Sequence, residues 1–174
     1  MIIVLTGTPG VGKTYLARRV CKKLGWNHLE INKLVKREGL YIGYDKKLKS
    51  WIVDERKIIS YVKKVVRGTD NIIIDSHLAH ILPRSLVDKV IVLRCEPRVL
   101  EKRLKKRRYS KEKIRQNVES ELIGLISYET KKRHKKLLEV DCSSGKLKCE
   151  KMLISIILGK TKKTKGIDWC GDVL

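Results

Sequence analysis

The chain has 174 residues, enough for one domain whose core needs no metal or disulfide staple. Apolar residues make up 42%, a normal globular share, but 41 lysines and arginines face 19 acids. The resulting net charge of +22 excludes a neutral surface and implies a polyanionic substrate, a polyanionic partner, or both.

No apolar run approaches the roughly 18 residues that span a bilayer. Met1 leads straight into Ile2-Ile3-Val4-Leu5 with no charged segment ahead of it, so neither a membrane span nor a signal peptide is expected. The five cysteines, Cys21, Cys95, Cys142, Cys149 and Cys170, form no C-x-x-C pair and are odd in number. Reduced thiols in a cytoplasmic protein fit this better than a disulfide framework or a zinc site.

Taken in chain order, Met1–Thr6 is a short apolar run that reads as a buried strand. A glycine-rich loop follows, then a helix over 13–24 with Leu16, Val20 and Leu24 on one face and Gly25 as its stop. Residues 28–31 read as a second strand, and 32–50 as a short helix plus loop, punctuated by Gly39 and Gly43. An amphipathic helix is expected over 51–66, with Ile58, Ile59, Val62, Val65 and Val66 inward. Asn71–Asp75 and Lys89–Leu93 are apolar on both faces, as in a parallel sheet covered on both sides. Pro97–Arg107 reads as a helix with proline in its first turn. Ser110 caps a long helix carrying Ile114, Val118, Leu122 and Leu125. Residues 138–142 form a last strand, and Ser143 or Ser144 caps a helix through Leu158 with Cys149, Met152, Leu153, Ile156 and Ile157 inward. The alternation of strands and helices predicts a parallel α/β sheet. The basic stretch 159–174 is poor in apolar residues and reads as a mobile tail.

Gly7-Thr8-Pro9-Gly10-Val11-Gly12-Lys13-Thr14 matches G-x-x-x-x-G-K-[ST] in full, after a buried strand and at a helix start. Such a loop turns backbone N–H groups and a helix N-terminus toward phosphates, and its glycines allow close approach. Lys13 is placed to reach the β- and γ-phosphates of ATP and Thr14 to ligate Mg²⁺. A second G-K-T at 159–161 follows a helix and lacks the upstream glycine, so it is not a phosphate loop. The guanine motif N-K-x-D is missing: Asn32-Lys33-Leu34-Val35 comes too early and ends in valine, which disfavours a GTPase. Asp75, ending N-I-I-I-D, is the natural second magnesium residue. His77 lies two positions on, where a histidine can orient or deprotonate water.

The phosphate loop, together with Leu40-Tyr41-Ile42-Gly43-Tyr44-Asp45, Asp54-Glu55, Ile74-Asp75-Ser76-His77, Val92-Leu93-Arg94 and Arg107-Arg108-Tyr109-Ser110-x-x-Lys113-Ile114-x-x-Asn117-Val118, resembles the adenylate kinase isoenzyme 6 (CINAP) family over residues 1 to about 158. The resemblance implies a P-loop NTPase of the nucleoside-monophosphate-kinase type: a three-layer α/β/α domain over 1–158 with a parallel five-stranded sheet. An NMP-binding segment falls at about 30–53 and a short lid at about 106–116. It also implies adenylate kinase activity with ATPase activity or, as the alternative, a ribosome-assembly ATPase with little nucleoside monophosphate kinase activity, and a role in late maturation of the small ribosomal subunit through a ribosomal protein and rRNA. Carried over singly, Gly10, Gly12, Lys13, Thr14 and Tyr15 bind ATP phosphates, Arg107 is the lid arginine, and Lys146 lies near the adenine. Lys13, Asp75, His77 and Arg107 are then the catalytic set and Thr14 and Asp75 the magnesium residues, with AMP the favoured acceptor, Arg94 a further cation at the transferred phosphoryl group, and the protein a monomer. The chain departs from the family at Arg107-Arg108-Tyr109, where the lid commonly reads R-G-Y, at Lys33, where an acid is expected, and at Tyr15, which replaces a small hydroxyl.

Cations concentrate in three stretches: nine in the fifteen residues 101–115, five in 129–136 and four in 160–165. One bound nucleotide does not require such density, so an RNA backbone is the expected partner.

Overall fold

The computed structural model describes residues 1–46 and 50–171. Part of the expected NMP segment (47–49) and the end of the basic tail (172–174) lie outside the described residues. Five strands form one parallel sheet: β1 (Ile2–Thr6), β2 (Asn27–Glu30), β5 (Ile72–Asp75), β6 (Lys89–Arg94) and β7 (Leu137–Asp141), in the order β2-β5-β1-β6-β7. A separate antiparallel hairpin, β3 (Tyr41–Asp45) with β4 (Ser50–Val53), stands apart from it.

The two-residue period of the strands sorts their side chains into two cores. Ile3, Leu5, Ile73, Ile91 and Leu93 face α1 (Lys13–Leu24), α4 (Pro97–Lys106) and α7 (Lys146–Ile157). Val4, Ile72, Ile74 and Val90 face α2 (Ile31–Arg37) and α3 (Glu55–Val66). Both faces are covered, which is why these strands read as unbroken apolar runs. The connection leaving β1 runs to β2 on one side and that leaving β5 runs to β6 on the other. Their carboxyl ends therefore flank a topological switch point, the crevice where such sheets bind ligands.

Several elements differ from their sequence reading. Trp51–Val53 pairs in β4 instead of opening a helix, because Asp54 caps α3 by accepting a hydrogen bond from the Lys57 N–H at 3.1 Å. The expected loop before it is β3, with Tyr41 and Trp51 in ring contact at 4.2 Å. The long helix from Ser110 is two, α5 (Lys111–Leu122) and α6 (Leu125–Arg133), broken where Gly124 adopts a left-handed φ of 65°. Gly145, not Ser143 or Ser144, sits at the N-cap of α7, and Met152 faces outward at 40% exposure.

Cys142 and Cys149, expected as reduced thiols, are joined in a disulfide that ties the end of β7 to the first turn of α7. The turn between them brings their Cα atoms to 5.2 Å, a proximity that spacing in sequence does not announce. The tail is not a loose extension over its described part, because Thr164, Ile167 and Trp169 all hydrogen-bond to the body of the fold. They dock mainly through polar groups, which low apolar content does not reveal. Among the described residues no helix is long and apolar enough to cross a membrane.

Candidate active site

The loop 7–14 leaves β1 at the switch point and enters α1. Gly7 lies at φ 135°, and a Cβ there would stand 2.3 Å from the Leu93 carbonyl oxygen on the neighbouring strand. Gly10 lies at φ 99° against Leu100 and Leu104 of α4. These positions admit only glycine, so the loop is pressed against β6 and α4. Gly12, also left-handed, is the N-cap of α1 without a side chain of its own, which leaves the helix N-terminus open to an anion.

Lys13 is 8% exposed and folds back over the loop, its Nζ donating to the Gly7 carbonyl at 2.6 Å and the Thr8 carbonyl at 3.1 Å. Burial lowers its pKa to about 8, against the pull of Asp75 and Glu121; Arg107 lowers it further. A desolvated ammonium whose hydrogen bonds among the described residues go to loop carbonyls is poised for an anion, and this is the observation that fits the loop to nucleotide phosphates. Beside it, the Thr14 hydroxyl donates to Asp75 Oδ2 at 2.6 Å. Hydroxyl and carboxylate together are an oxygen donor pair of the kind Mg²⁺ takes alongside phosphates and water. Among the described residues no cluster of three or more His, Cys, Asp or Glu side chains forms a protein-only metal cage.

His77 follows the strand end, partly buried, and its backbone carbonyl accepts from Thr6 Oγ1 at 3.3 Å. Burial, reinforced by Lys13, His80 and Lys113, depresses its pKa to about 4. The imidazole is therefore neutral and able to accept a proton or orient water. His80 is buried, with its Nε2 3.4 Å from Glu129, and belongs to the framework. Arg107 is the exposed C-cap of α4, and its charge reaches Lys13 across the loop. The turn after it holds Arg108 at φ 57°, the one non-glycine residue at positive φ among the described residues, where an L side chain costs roughly 1–2 kcal/mol. On the flank, Lys146 at the start of α7 places its Nζ 4.3 Å from the Tyr15 ring centroid, with Arg19 at 5.7 Å. Gly10, Gly12, Lys13 and Thr14 thus lie in the loop, Asp75 bonds to Thr14, the charge of Arg107 acts on Lys13 and that of Lys13 on the His77 ring, and Tyr15 and Lys146 border the loop.

Arg94 does not join them. It is 2% exposed, with Nε 2.7 Å from Glu121 Oε1 and Nη1 3.2 Å from Glu139 Oε1. Its guanidinium is already committed to two carboxylates, and the expectation of a phosphoryl-facing Arg94 is corrected accordingly.

Three residues that the sequence reading passed over belong to the site. His28 on β2 puts Nε2 2.5 Å from Asp75 Oδ1, so Asp75 is gripped from both sides, by Thr14 and His28. The parallel register that sets Glu30 opposite Asp75 brings the two strands into range. Glu121 on α5 accepts from the Thr8 hydroxyl. Arg103 on α4 donates to the carbonyls of Val11 at 3.2 Å and Cys142 at 2.7 Å, bridging the phosphate loop to the loop ahead of Lys146.

A family model described as an AAA domain matches residues 3–124. The chain is 38% identical over 172 residues to the protein named "Putative adenylate kinase" of Pyrococcus furiosus, covering 97% of this chain and 91% of that one. It is 33% identical over 172 residues to the protein of the same name from Methanocaldococcus jannaschii, covering 97% and 93%. Among solved structures, shikimate kinase of Bacteroides thetaiotaomicron superposes with a TM-score of 0.64 at 14% identity, over 91% of this chain and 98% of that one. Shikimate kinase of Aquifex aeolicus gives 0.59 at 17%, over 92% and 98%. These last two show the fold, a nucleoside-monophosphate-kinase-like P-loop α/β domain. The chain belongs to a kinase-like P-loop family, the one that the AAA-domain model and these relatives share.

Proposed function

We propose that this chain is a magnesium-dependent phosphotransferase that moves the γ-phosphoryl group of ATP to a nucleoside monophosphate, AMP in the first place, giving two ADP. The observation that carries the reading is the buried Lys13 ammonium, hydrogen-bonded to the Gly7 and Thr8 carbonyls, beside the Thr14–Asp75 pair at the carboxyl edge of the sheet. The relatives named "Putative adenylate kinase" support it. Lys13, the loop amides and the α1 N-terminus bind phosphate, and Arg107 faces the same charge from the α4–α5 turn. Thr14 and Asp75 are the residues that would hold Mg²⁺, with His28 fixing the carboxylate. When bound, Mg²⁺ would offset negative charge on the nucleotide phosphates. Tyr15 and Lys146 supply a ring and a cation beside the nucleotide base. The acceptor is assigned to segment 30–53 and the lid to residues 106–116. Positioning and electrostatics carry the catalysis.

The neutral His77 next to Asp75 favours a second activity at the same site, ATP hydrolysis by an oriented water. We assign the chain on its motifs to the adenylate kinase isoenzyme 6 type, cytoplasmic and monomeric, with a partner in the small ribosomal subunit, protein or rRNA. The α4–α5 region supports an RNA-facing role, because Lys105, Lys106, Arg107, Arg108, Lys111, Lys113 and Arg115 are all exposed there. Contact with about six phosphates would weaken binding roughly a thousandfold between 50 and 200 mM salt. A panel of nucleoside monophosphates in a coupled assay, run beside phosphate release without acceptor, tests the proposal. Acceptor-dependent ADP formation is expected. Phosphate release that no monophosphate alters would leave an ATPase, and a salt-independent interaction with rRNA fragments would remove the RNA partner.

A further inference from the structure

The C-terminal stretch crosses the sheet edge beside β7 and meets a buried polar network. Arg94 Nη1 donates to the Ile167 carbonyl at 3.0 Å, and the Ile167 N–H donates to Glu139 Oε2 at 2.7 Å. The Glu139 N–H donates to Thr164 Oγ1 at 2.8 Å, and the Trp169 indole N–H to Glu121 Oε1 at 3.2 Å. Glu121 is the hub. Its Oε1 also accepts from Arg94 and from the Cys95 N–H, while its Oε2 accepts from the Thr8 hydroxyl. Thr8 lies in the phosphate loop, and its carbonyl is one of the two that hold Lys13. An unbroken chain of charge-assisted hydrogen bonds therefore runs from Trp169 through Glu121 to the loop.

The segment sits on this network without a tight apolar seal. A cleft of about 400 Å³ lies between it and β7 and α7, lined in part by Asp141, Lys148 and Thr161. Another of about 260 Å³ opens toward Leu122 and Tyr128. A strand of chain held by a few polar bonds, with open space on both sides, sits at the low end of local stability. Glu121 and Arg94 are 1% and 2% exposed, so the other end of the chain of bonds is fixed.

We propose that residues 164–170 form a strap whose docking, through Glu121 and Thr8, sets the phosphate loop for nucleotide, so that strap and nucleotide stabilise one another. The inference rests on the phosphate-loop reading given above. Nucleotide draws the Lys13 Nζ off the Gly7 and Thr8 carbonyls. Thr8 is then held through its hydroxyl to Glu121, and Glu121 is oriented in part by Trp169. Linkage is reciprocal: whatever factor the docked strap adds to nucleotide affinity, bound nucleotide adds to docking, typically 5- to 150-fold. Trp169 and Glu121 are positioning residues in this scheme, since neither touches the substrate.

Amide hydrogen exchange on the unaltered chain tests this, with and without Mg²⁺ and a non-hydrolysable ATP analogue. Slowing of at least fivefold is expected both in the phosphate loop and in residues 164–170. Protection of the loop with the strap unchanged would overturn the strap. Protection of neither would mean that the loop binds no nucleotide, which removes the site reading and the strap with it. A double-mutant cycle on fluorescent ATP affinity, Thr8→Val with Trp169→Phe, reads the same link. The pair should weaken binding at least fivefold less than the product of the single effects. Independent effects, multiplicative within about twofold, would contradict it.

Discussion

Replacing Arg94 by methionine should cost folding stability rather than phosphate binding alone. The guanidinium makes five hydrogen bonds, to Glu121 Oε1 and its carbonyl, Ser127, Glu139 and Ile167. Methionine fills much of the volume but leaves Glu121 and Glu139, 1% and 5% exposed, without their cation. Removing one partner of a buried ion pair costs about 3–5 kcal/mol. Glu121 retains the Cys95, Thr8 and Trp169 donors, and Glu139 retains Ser127 and the Ile167 N–H, so the lower half of that range is expected. For a chain of this length each kcal/mol shifts Tm by roughly 2–4 °C, so calorimetry without nucleotide should show a drop of about 6–16 °C. Arg94→Lys keeps the charge but not the fork, and should fall between the variant and the native chain. A methionine variant within about 1 kcal/mol of the native chain that had nevertheless lost ATP binding would refute the reasoning and return Arg94 to the phosphates.

Lys13→Ala should lower turnover by at least roughly 100-fold while circular dichroism and Tm stay near native, since alanine suits the first turn of a helix. His28→Leu should raise the Mg²⁺ concentration needed for ATP binding about tenfold or more, as removal of a ligand's supporting partner does. His28→Gln, which keeps a donor toward Asp75, should recover most of it, and equal Mg²⁺ requirements in both variants would exclude the role. Thiol alkylation should modify Cys170 alone in the native chain, because burial pushes Cys21 and Cys95 up to about 11. Unfolding without reductant should expose three thiols and unfolding with reductant all five, and five without reductant would mean that Cys142 and Cys149 are not bonded.

What could be read from the sequence was local. Strand, glycine loop, helix and Asp75 at a strand end are each set by a few adjacent residues and by the two- and 3.6-residue periods. The parts that escaped are contacts between distant positions. His28 meets Asp75 across 47 residues, Arg103 meets Val11 across 92 and Thr8 meets Glu121 across 113. No local pattern marks an acid on a helix as the anchor of a loop so far away. Arg94 shows the complementary limit: a cation at a strand end beside a phosphate loop has the right address, and only the structure shows two carboxylates already holding it. The hairpin β3–β4 has no local signature, because its strands are short, register-shifted and half exposed, so neither polar–apolar alternation nor an apolar run marks them.

The central claim is transfer of the γ-phosphoryl group of ATP to a nucleoside monophosphate on the Lys13 loop. It is tested most directly by following γ-labelled ATP with unlabelled AMP and Mg²⁺. Label appearing in ADP, dependent on Mg²⁺ and lost in Lys13→Ala, is the result predicted. Label released only as inorganic phosphate, at a rate indifferent to AMP and to every other monophosphate, would contradict it.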